Sequence, residues 1–535
     1  MQRRDFLAGT GGLGLGLMGL PSASLSQTPE QVLRIGMTTS DVPTTGGIPD
    51  NGSEGGRFAG YTIYDALVNW DFTKTDDFAD LTPGLATEWH IDPDNHLRWI
   101  FTIRQGVKFH DGSLLVPEDI VWNFDRHLNK EAAHYDKVQA GSYLTYTSAV
   151  KKYEVIGPNK VALYTAQPFS MLPYLLSRVF IVSPRQYAKI GNWQDFRGAP
   201  SGTGPFKLVR VIPRTSFEVA RNEEYWDRTR VPKLARMILS PVPDALTRVA
   251  ALQSGQLDFV EYPAPDTIPT LRAAGFQVVT KPYPHIWAWH ASNAEGSPLH
   301  DIRVRRALNY ALDRDAMVAL LSGTAIPARG PWPEGSKYFG SPTEHYKYDP
   351  AKARALLAEA GYGPSKKLNI KVQVPTSGSG NMVPVPMAEF VQQNFAEFGV
   401  VVDYVVSEWG AVLSNMRLRA DTLTNPRIDV INHGLPISDP TQLFLNFSST
   451  TVPPNGSNWS MYADPKVDDL LNRAFATFES AQRDALITQA HAQIVDDAPW
   501  LFVVHDLNPR ALGPKVKGFR QAQSWYQDFT QLYIG

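Results

Sequence analysis

The residue types that carry covalent or metal chemistry are sparse in this sequence. The 535-residue chain contains no cysteine, which excludes disulfides, thiol nucleophiles and cysteine-ligated iron–sulfur clusters. The local hydrolase signatures G-x-S-x-G and H-E-x-x-H are also absent. His90, His96 and His110 lie in or beside predicted strands, whose alternating positions do not converge on one metal ion. We therefore expect no enzyme, no metal site and no cofactor.

Two glycine-rich stretches have the spelling of phosphate-binding loops without the context that such loops need. Gly14, Gly16 and Gly19 match G-x-G-x-x-G, but they follow no predicted strand and open no βαβ unit. The run SGTGPF, from Ser201 to Phe206, lacks the Lys-Ser/Thr ending of a P-loop. Neither stretch predicts nucleotide binding.

Polar residues after the first predicted strand are better candidates for ligand binding. Val32 to Met37 reads as a strand, and a Gly-, Pro- and Ser-rich loop runs from Ser40 to Arg57. A helix is predicted to begin at Phe58. Loops at strand ends often carry binding residues, and the candidates in this loop are Asn51, Ser53 and Glu54.

Later strand ends supply further candidates. Ligands of open α/β sheets bind outside the carboxyl ends of strands. Trp409 follows the predicted strand Val400 to Val406, and a predicted loop containing His433, Gly434 and Asp439 follows another. Trp287 and Trp289 alternate to one face of a predicted strand, where a buried pair and a ligand-facing pair both fit the pattern.

The elements that must position these residues follow an α/β pattern. The stretch DIRVRRALNYALDRDAMVALLSG predicts one amphipathic helix, capped by Asp301 and ended by Gly323. Strands and helices then alternate from Lys367 to Ile431, which predicts a mostly parallel sheet.

Composition and charge exclude several classes of partner. Hydrophobic residues make up 43% of the chain, enough for large cores, and 51 basic residues nearly balance 53 acidic ones. We therefore expect no nucleic-acid or membrane-surface partner. Arg3 and Arg4 precede a Gly- and Leu-rich run ending near Leu20, which resembles a twin-arginine export signal. A membrane span would need roughly 20 apolar residues.

Several motifs together resemble one protein family. The spelling D-x-R-V-R-R-A-L-N-Y-A-L-D-R begins at Asp301, and L-x-W-x-F-x-I-R-x-G-V-K-F-H-D-G begins at Leu97. Asp349 to Tyr362 adds D-P-x-K-A-x-x-L-L-x-E-A-G-Y. In combination they resemble the family 5 extracellular solute-binding proteins of bacterial ABC importers, which take up peptides, nickel and opines.

The resemblance implies a periplasmic binding protein fold of type II, with two large α/β lobes joined by a hinge and a small extra lobe. In this family the strand carrying Trp287 and Trp289 borders the cleft. The implied division is a signal peptide at 1–26, lobe I at 27–75, 200–283 and 505–535, the small lobe II at 76–199, and lobe III at 284–504.

The sequence departs from the dipeptide-binding members at two charge anchors. Those members carry an Asp for the peptide amine in a G-W-x-x-D spelling, where this chain has Gly434-Leu435-Pro436-Ile437-Ser438. They also carry an Arg for the peptide carboxylate after a V-Q strand, where this chain reads Val372-Gln373-Val374-Pro375-Thr376. Losing a buried charge partner typically costs about 2 to 5 kcal/mol, so zwitterionic dipeptides are disfavoured.

The resemblance implies a monomeric periplasmic receptor, exported and without a lipid anchor, that closes over a peptide or related small solute. It would deliver that solute to ABC permease subunits in the inner membrane. Longer peptides, opine-like metabolites, glycosides stacked on tryptophan and metal chelates, with His433 as a ligand, remain open. A chaperone or sensor subunit with the receptor fold and an exported hydrolase with a dispersed triad are the alternatives from other classes.

Overall fold

A computed structural model of the chain describes residues 30–47, 52–74, 80–282, 284–378, 380–522 and 526–535. The predicted signal peptide and Asn51 lie outside these residues, and the side chain of Ser53 is not described. Within the described part of the chain, no helix has the length and apolar character needed to cross a membrane.

A seven-stranded sheet gathers strands from three separate stretches of the chain. The predicted strand Val32–Met37 is confirmed, and its two sheet neighbours, Arg236–Pro241 and Phe259–Glu261, both run parallel to it. The strand order is Gln277–Val279, Arg510–Leu512, Phe259–Glu261, Val32–Met37, Arg236–Pro241, Ser216–Arg221, Phe206–Ile212. The helical segments near this sheet are Gly52–Gly55, Gly56–Gly60, Tyr61–Ile63, Arg228–Arg230, Ala245–Gln253, Pro265–Thr267 and Ile268–Ala273.

The helical segments that begin at Gly52 change one expectation. The loop predicted to reach Arg57 instead turns helical before that residue, and Arg57 and Phe58 lie in one π-helical turn. Arg57 is buried, with an ion-pair partner described below, which holds this turn against the core.

In sequence, a smaller antiparallel sheet falls between the first two stretches that form the seven-stranded sheet. Its four strands, in order, are Ala86–Asp92, Asn95–Ile103, Lys160–Thr165 and Val150–Gly157. Helices accompany it at Pro117–Leu128, Lys137–Thr147, Leu172–Leu176, Pro184–Ile190 and Trp193–Phe196. Two strand pairs stand apart from the large sheets: Val68–Trp70 with Leu81–Pro83, and Val516–Lys517 with Tyr533–Ile534.

A six-stranded sheet organises the long middle part of the chain. Its order is Ala325–Pro327, Trp500–Asp506, His285–Ala291, Val430–Pro436, Leu368–Pro375, Val400–Ser407. The strands of the stretch from Lys367 to Ile431 pair in parallel as predicted, since Leu368–Pro375 runs parallel to both Val400–Ser407 and Val430–Pro436. The sheet as a whole is mixed rather than mostly parallel, because its other three pairings are antiparallel. His285–Ala291 carries the chain into this region and Trp500–Asp506 carries it back, so these two strands must run antiparallel.

The signature stretch after Asp301 forms two helices where the sequence predicts one. Asp301 caps Ile302–Ala311 as expected, but Leu312 is extended and Asp313 caps a second helix, Arg314–Leu320. A second competent cap within the stretch restarts the helix in a new direction. The remaining helices of this region are Pro350–Glu359, Pro384–Ala396, Trp409–Met416, Ala420–Thr422, Thr441–Phe447, Ser449–Thr451, Pro465–Ala476 and Ser480–Asp497.

The α/β fold with several lobes agrees with the prediction, while the proposed lobe boundaries stay a prediction. One large apolar cluster runs through all three main sheets, from Leu33 to Leu532, so the sheets share a continuous core. The chain passes between the seven- and six-stranded sheets at His285–Ala291 and again at Trp500–Asp506. Two such crossings are the strands about which a hinge motion would turn.

Candidate functional site

Strands of both large sheets point their carboxyl ends into one cleft. Val32–Met37 and Arg236–Pro241, which run parallel, are followed by Thr38 and by the segment from Pro243 to Arg248. Leu368–Pro375 and Val400–Ser407, also parallel, are followed by Thr376 and Glu408. These residues line a cavity of about 470 Å³, within the range of about 300–1,000 Å³ that small-molecule sites occupy.

The lining of the cleft mixes hydroxyl groups, carboxylates and a proline-rich wall. Thr38 and Ser40 face it from one sheet, and Thr376 and Ser377 from the other. Asp244 and Glu408 supply one carboxylate from each side. The apolar wall consists of the start of the helix Pro384–Ala396 and the two residues before it. Its residues are Met382, Val383, Pro384, Val385 and Pro386.

The predicted ligand residue Glu54 lies beside this cleft and is buried. Its carboxylate accepts hydrogen bonds from the backbone N–H of Thr38, at 3.3 Å, and from the Thr38 hydroxyl. Further into the same wall, Glu261 forms ion pairs with Arg57 and, at 3.4 Å, with Arg510. All three of these side chains are at most 3% exposed, so this wall is built from paired charges.

Arg248 is the one basic residue that lines the cleft among the described residues, and its donors are occupied. Nε donates to the carbonyl of Glu261 at 2.9 Å, and Nη2 donates to that of Tyr262 at 2.8 Å. Nη1 donates to the carbonyls of Val242 and Pro243. Burial lowers the pKa of Arg248 to about 10, against the opposing charges of Glu54 and Asp244, so the guanidinium stays protonated at neutral pH. Its function is to hold strand ends together.

A neutral, aromatic layer lies behind the opposite wall. Trp287 and Trp289 are 0% and 1% exposed and lie on one face of His285–Ala291, as the alternation predicts. Trp289 packs edge-on against Phe395 and Tyr404, with ring centroids 5.7 and 6.4 Å away. Neither indole N–H has a hydrogen-bond partner among the described residues, and neither tryptophan lines the 470 Å³ cavity.

His433 and Gly434 lie within the strand Val430–Pro436, so their prediction as loop residues is wrong. The loop begins only at Ile437, because the strand stays paired with His285–Ala291 along its whole length, through Pro436. The ring of His433 stacks on that of His290 at 4.0 Å and lies 6.4 Å from that of Trp409. Burial lowers the pKa of His433 to about 4, which keeps the imidazole neutral at physiological pH.

Gly434 and Gly378 are the two glycines on which this wall depends. A Cβ on Gly434 would lie 2.1 Å from the carbonyl oxygen of Gly380, and the Gly434 N–H donates to Asn381 at 2.9 Å. Gly378, with φ of +125°, lies against the Trp409 ring and lines the cleft. Trp409 is therefore separated from the cavity by a backbone without a side chain.

Asp439 lies away from the histidines, in a buried ion pair that joins two regions of the chain. Its carboxylate is 2.9 Å from Nη2 of Arg178, a residue of the segment that follows the four-stranded sheet. The same nitrogen donates to Ser438 at 3.2 Å, and the Asp439 carboxylate also accepts from Thr441. Burial opposes the charge on Arg178, but Asp439 together with Tyr526, Tyr146 and Tyr61 outweighs it and holds the pKa of the guanidinium above its ordinary value.

A third buried charge cluster stands where the chain crosses between the large sheets. Asp506 accepts a hydrogen bond from the Tyr262 hydroxyl at 2.8 Å and lies 2.6 Å from Nδ1 of His285. Burial would raise the pKa of Asp506, but His285 and these hydrogen bonds lower it below its ordinary value. In the part of the chain that the structure describes, no group of three His, Asp or Glu side chains could hold a metal ion.

Sequence reasoning missed Arg178, Arg248 and Asp506. Arg178 interrupts the apolar run LPYLLSRVFIV, and Arg248 stands among apolar residues of its helix. A single arginine within an apolar run is carried into the core with its neighbours. Because a buried arginine needs partners, such a position indicates a buried hydrogen-bond or ion-pair network. Of the predicted ligand residues, the structure brings Glu54 and Trp409 to the borders of the cleft and His433 and Gly434 to the wall behind Trp409.

Two α/β regions that enclose a solute-sized cleft and are joined by two crossing strands define a solute-binding protein. Residues 80–454 match the family model for bacterial extracellular solute-binding proteins, family 5. The chain belongs to that family.

Named relatives agree with this assignment. Heme-binding protein A of Haemophilus influenzae is 30% identical over 492 residues, covering 88% of this chain and 87% of the relative. The dipeptide-binding protein of Escherichia coli is 28% identical over 475 residues, covering 85% and 86%. The fold resembles the crystal structure of a Pseudoalteromonas dipeptide-binding protein in complex with Met-Leu, with a TM-score of 0.82, 21% identity, and coverage of 94% of this chain and 100% of the other.

Proposed function

We propose that this protein is the periplasmic substrate-binding component of an ABC importer and closes over a peptide or a related small organic solute. The observation that carries this proposal is the 470 Å³ cleft into which strands of both large sheets point their carboxyl ends. Closing the cleft would bury the solute and change the surface offered to a membrane permease. The protein acts as a carrier without turnover.

The predicted contacts are divided between the two walls. Glu54 would act through Thr38, which it orients toward the cleft. Trp409 and His433 would form the aromatic floor behind Gly378. The indole N–H of Trp409, which has no hydrogen-bond partner among the described residues, would donate to a solute oxygen. Trp287, Trp289 and Gly434 would support that floor. Contacts of the solute with Asn51 and Ser53 stay a prediction from the sequence.

The pairing of the buried charges supports a solute other than a zwitterionic dipeptide. Asp439 directly follows Gly434 to Ser438, the segment that lacks the Asp expected to bind a peptide amine. Its carboxylate is already paired with Arg178. Arg248, the arginine of the cleft, donates to four backbone carbonyls. Neither is available to a ligand terminus without losing a buried partner. A longer peptide, held by its backbone and by the hydroxyl groups of the cleft, fits this lining better.

Export of the folded protein through the twin-arginine route, cleavage after residue 26 and a monomeric state in the periplasm belong to the same proposal. Expression of an epitope-tagged chain followed by cell fractionation tests the export step. Replacing Arg3 and Arg4 together with lysine should retain the full-length form in the cytoplasm. Continued export of that variant would contradict a twin-arginine route.

Native mass spectrometry of the mature protein, purified gently from cells, tests the solute class. Tight binding is mostly slow release, so a bound solute should survive purification and appear as a discrete added mass. A peptide of three or more residues would support the proposal, whereas a zwitterionic dipeptide would contradict the argument from missing anchors. An opine, a glycoside or a metal chelate would move the protein to a non-peptide importer. Ligand-independent binding of unfolded chains would indicate a chaperone.

A further inference from the structure

A second cavity lies at the end of the seven-stranded sheet away from the cleft. The segment from Glu224 to Arg228 precedes strand Arg236–Pro241, whose other end reaches the cleft. Together with the turn from Arg104 to Lys108, which follows the strand Asn95–Ile103, this segment encloses about 390 Å³. We call this cavity the basic pocket.

The floor of the basic pocket is an indole fixed from below. The Trp226 N–H donates to the carboxylate of Asp65 at 2.9 Å, and the Tyr225 hydroxyl donates to the same carboxylate at 3.1 Å. Thr203 adds a third hydrogen bond at 2.9 Å, and Asp65 is only 3% exposed. The side-chain amide of Asn69 donates to the same carboxylate at 3.2 Å. A buried acid with four donors cannot turn freely, so it fixes the orientation of the indole.

Arg104 is held over this indole with its terminal nitrogens unused. Its guanidinium carbon lies 4.3 Å from the centroid of the Trp226 ring, and Nε donates to the carbonyl of Gly84 at 3.1 Å. No described residue accepts a hydrogen bond from Nη1 or Nη2. Stacking and the single Nε bond fix the plane of the guanidinium, which leaves a planar fork of donors for a carboxylate or phosphate group.

The charges around Arg104 are mostly positive. Lys108, whose ammonium lies 2.9 Å from the carboxylate of Glu224, lines the same cavity, as does Arg228. Arg228 uses Nη1 on the backbone carbonyl of Glu223 at 2.8 Å, and its other nitrogens have no described partner. Three cations therefore face one acid. The hydrogen bond and charge of Lys108, then the charges of Lys207 and Arg228, lower the pKa of Glu224.

We propose that the basic pocket binds a phosphate group, with Arg104 as the fork that grips it and Arg228 as a second donor. The pocket has space for more than a bare ion, so the group could be free inorganic phosphate or the phosphodiester of an anionic lipid headgroup. A lipid source would hold this receptor near the membrane on a face distant from the solute cleft. The proposal does not depend on the identity of the solute.

The test uses the full mature chain in two binding experiments at low ionic strength. Equilibrium dialysis measures binding of inorganic phosphate, and flotation measures binding to vesicles of phosphatidylcholine with or without phosphatidylglycerol. The variant Arg104→Gln should weaken binding at least tenfold in whichever experiment shows it, and Arg228→Gln should weaken it less. Arg473→Gln, which removes an exposed arginine on a distant helix, is the matched control.

Each outcome decides for or against the basic pocket. Phosphate binding lost in Arg104→Gln and kept in Arg473→Gln supports a site for the free ion. Vesicle binding that requires phosphatidylglycerol and shows the same dependence supports the lipid source. The proposal fails if the native chain binds neither phosphate nor vesicles. It also fails if Arg104→Gln and the control Arg473→Gln weaken binding equally, because the net positive charge of the surface would then be responsible rather than the pocket. Solute binding should be the same in all three variants.

Discussion

The two walls of the cleft are built from opposite materials. On the side of the seven-stranded sheet, Glu54, Arg57, Glu261, Arg248 and Arg510 are buried as charges, and each has a charged or polar partner. Behind the side of the six-stranded sheet, Trp287, Trp289 and Trp409 pack with the neutral His290 and His433, and the three indole N–H groups have no partner among the described residues. Glu408 at the cleft and Asp506 at the crossing strands are the charged exceptions named above. The charged wall fixes backbone positions, whereas the neutral wall retains unused donors.

The difference has a physical reason. A buried ion pair tolerates little change in geometry. Removing or displacing one partner leaves the other as an uncompensated charge in a medium of low dielectric constant. Such pairs suit a wall that must not change as solutes come and go. Aromatic and histidine side chains impose a smaller penalty when a neighbour moves, and they offer flat surfaces and single hydrogen-bond donors. They suit the wall that adapts to the solute.

The largest expected effect is the loss of stability on breaking the charged wall. In Glu261→Gln, the guanidinium groups of Arg57 and Arg510 lose their shared carboxylate while buried. We expect the free energy of unfolding to fall by about 3 to 5 kcal/mol, measured by urea denaturation. Glu223→Gln changes a carboxylate that is 77% exposed and should cost less than about 1 kcal/mol. Equal losses in the two variants would remove the distinction between the walls.

The neutral wall should instead respond to acid. Burial lowers the pKa of His433 to about 4, below the ordinary value of 6.5. The unfolded chain therefore takes up a proton between pH 6.5 and 4 that the folded chain does not. The stability that this histidine contributes is fully present above pH 6.5 and declines as the pH falls toward 4.

Comparing unfolding at pH 7 and pH 5 measures this effect. His433 alone should account for a loss of about 2 kcal/mol, and His433→Gln should remove that share. Arg248, with a pKa of about 10, does not titrate in this range, so the charged wall should not contribute through it. If the free energy of unfolding falls between pH 7 and pH 5 by the same amount in His433→Gln, burial does not lower the pKa of His433.

A smaller effect is expected on solute affinity when an indole donor is removed. Trp409→Phe keeps an aromatic ring behind Gly378 but deletes the N–H, and we expect the solute to bind about tenfold more weakly. Isothermal titration calorimetry with the solute found by mass spectrometry measures this. Trp193→Phe deletes an indole N–H that donates to the carbonyl of His134, far from the cleft. Its affinity for the solute should equal that of the unchanged protein.

The smallest expected effect concerns the exposed acids at the mouth of the cleft. Glu408 and Asp244 face the cavity from opposite sides, so closure brings two like charges toward each other unless a cation lies between them. Solutes with a free amine should bind about threefold more tightly than their acetylated forms, as expected for screened charges. Glu408→Gln should abolish that preference and Glu397→Gln should not. A preference that survives in Glu408→Gln would place the amine elsewhere.

Local patterns in the sequence predicted much of the scaffold. Val32–Met37 is the predicted strand, and Asp301 and Asp349 cap the helices that their positions suggested. These features depend on neighbouring residues alone. The single helix to Gly323 was wrong because Asp313 caps a second helix within the stretch. The mostly parallel sheet held only for the strands between Lys367 and Ile431, because the two strands that carry the chain into and out of the sheet pair antiparallel.

The site was predicted less well than the scaffold. The rule that ligands bind at the carboxyl ends of strands leads to the region of Trp409, and the cleft does lie there. The rule could not show that Thr38, Ser40 and Thr376 line the cavity, since their positions depend on how two sheets face each other. Pairs such as Arg178 with Asp439, separated by 261 positions, leave no local signal beyond an arginine in an apolar run.

The Arg178–Asp439 ion pair contains no atom of the solute, and it joins the segment after the four-stranded sheet to the loop after a strand of the six-stranded sheet. In the proposed closing motion, a pair that formed only on closure would favour the closed form. Any free energy that the pair adds is therefore given to the closed form whether or not the cleft is filled. Each kcal/mol raises the population of closed, empty receptor about fivefold. A transporter that responds to the closed receptor would then hydrolyse ATP without moving a solute. In the proposed importer, the strength of this one contact would balance longer retention of the solute against transport cycles without solute.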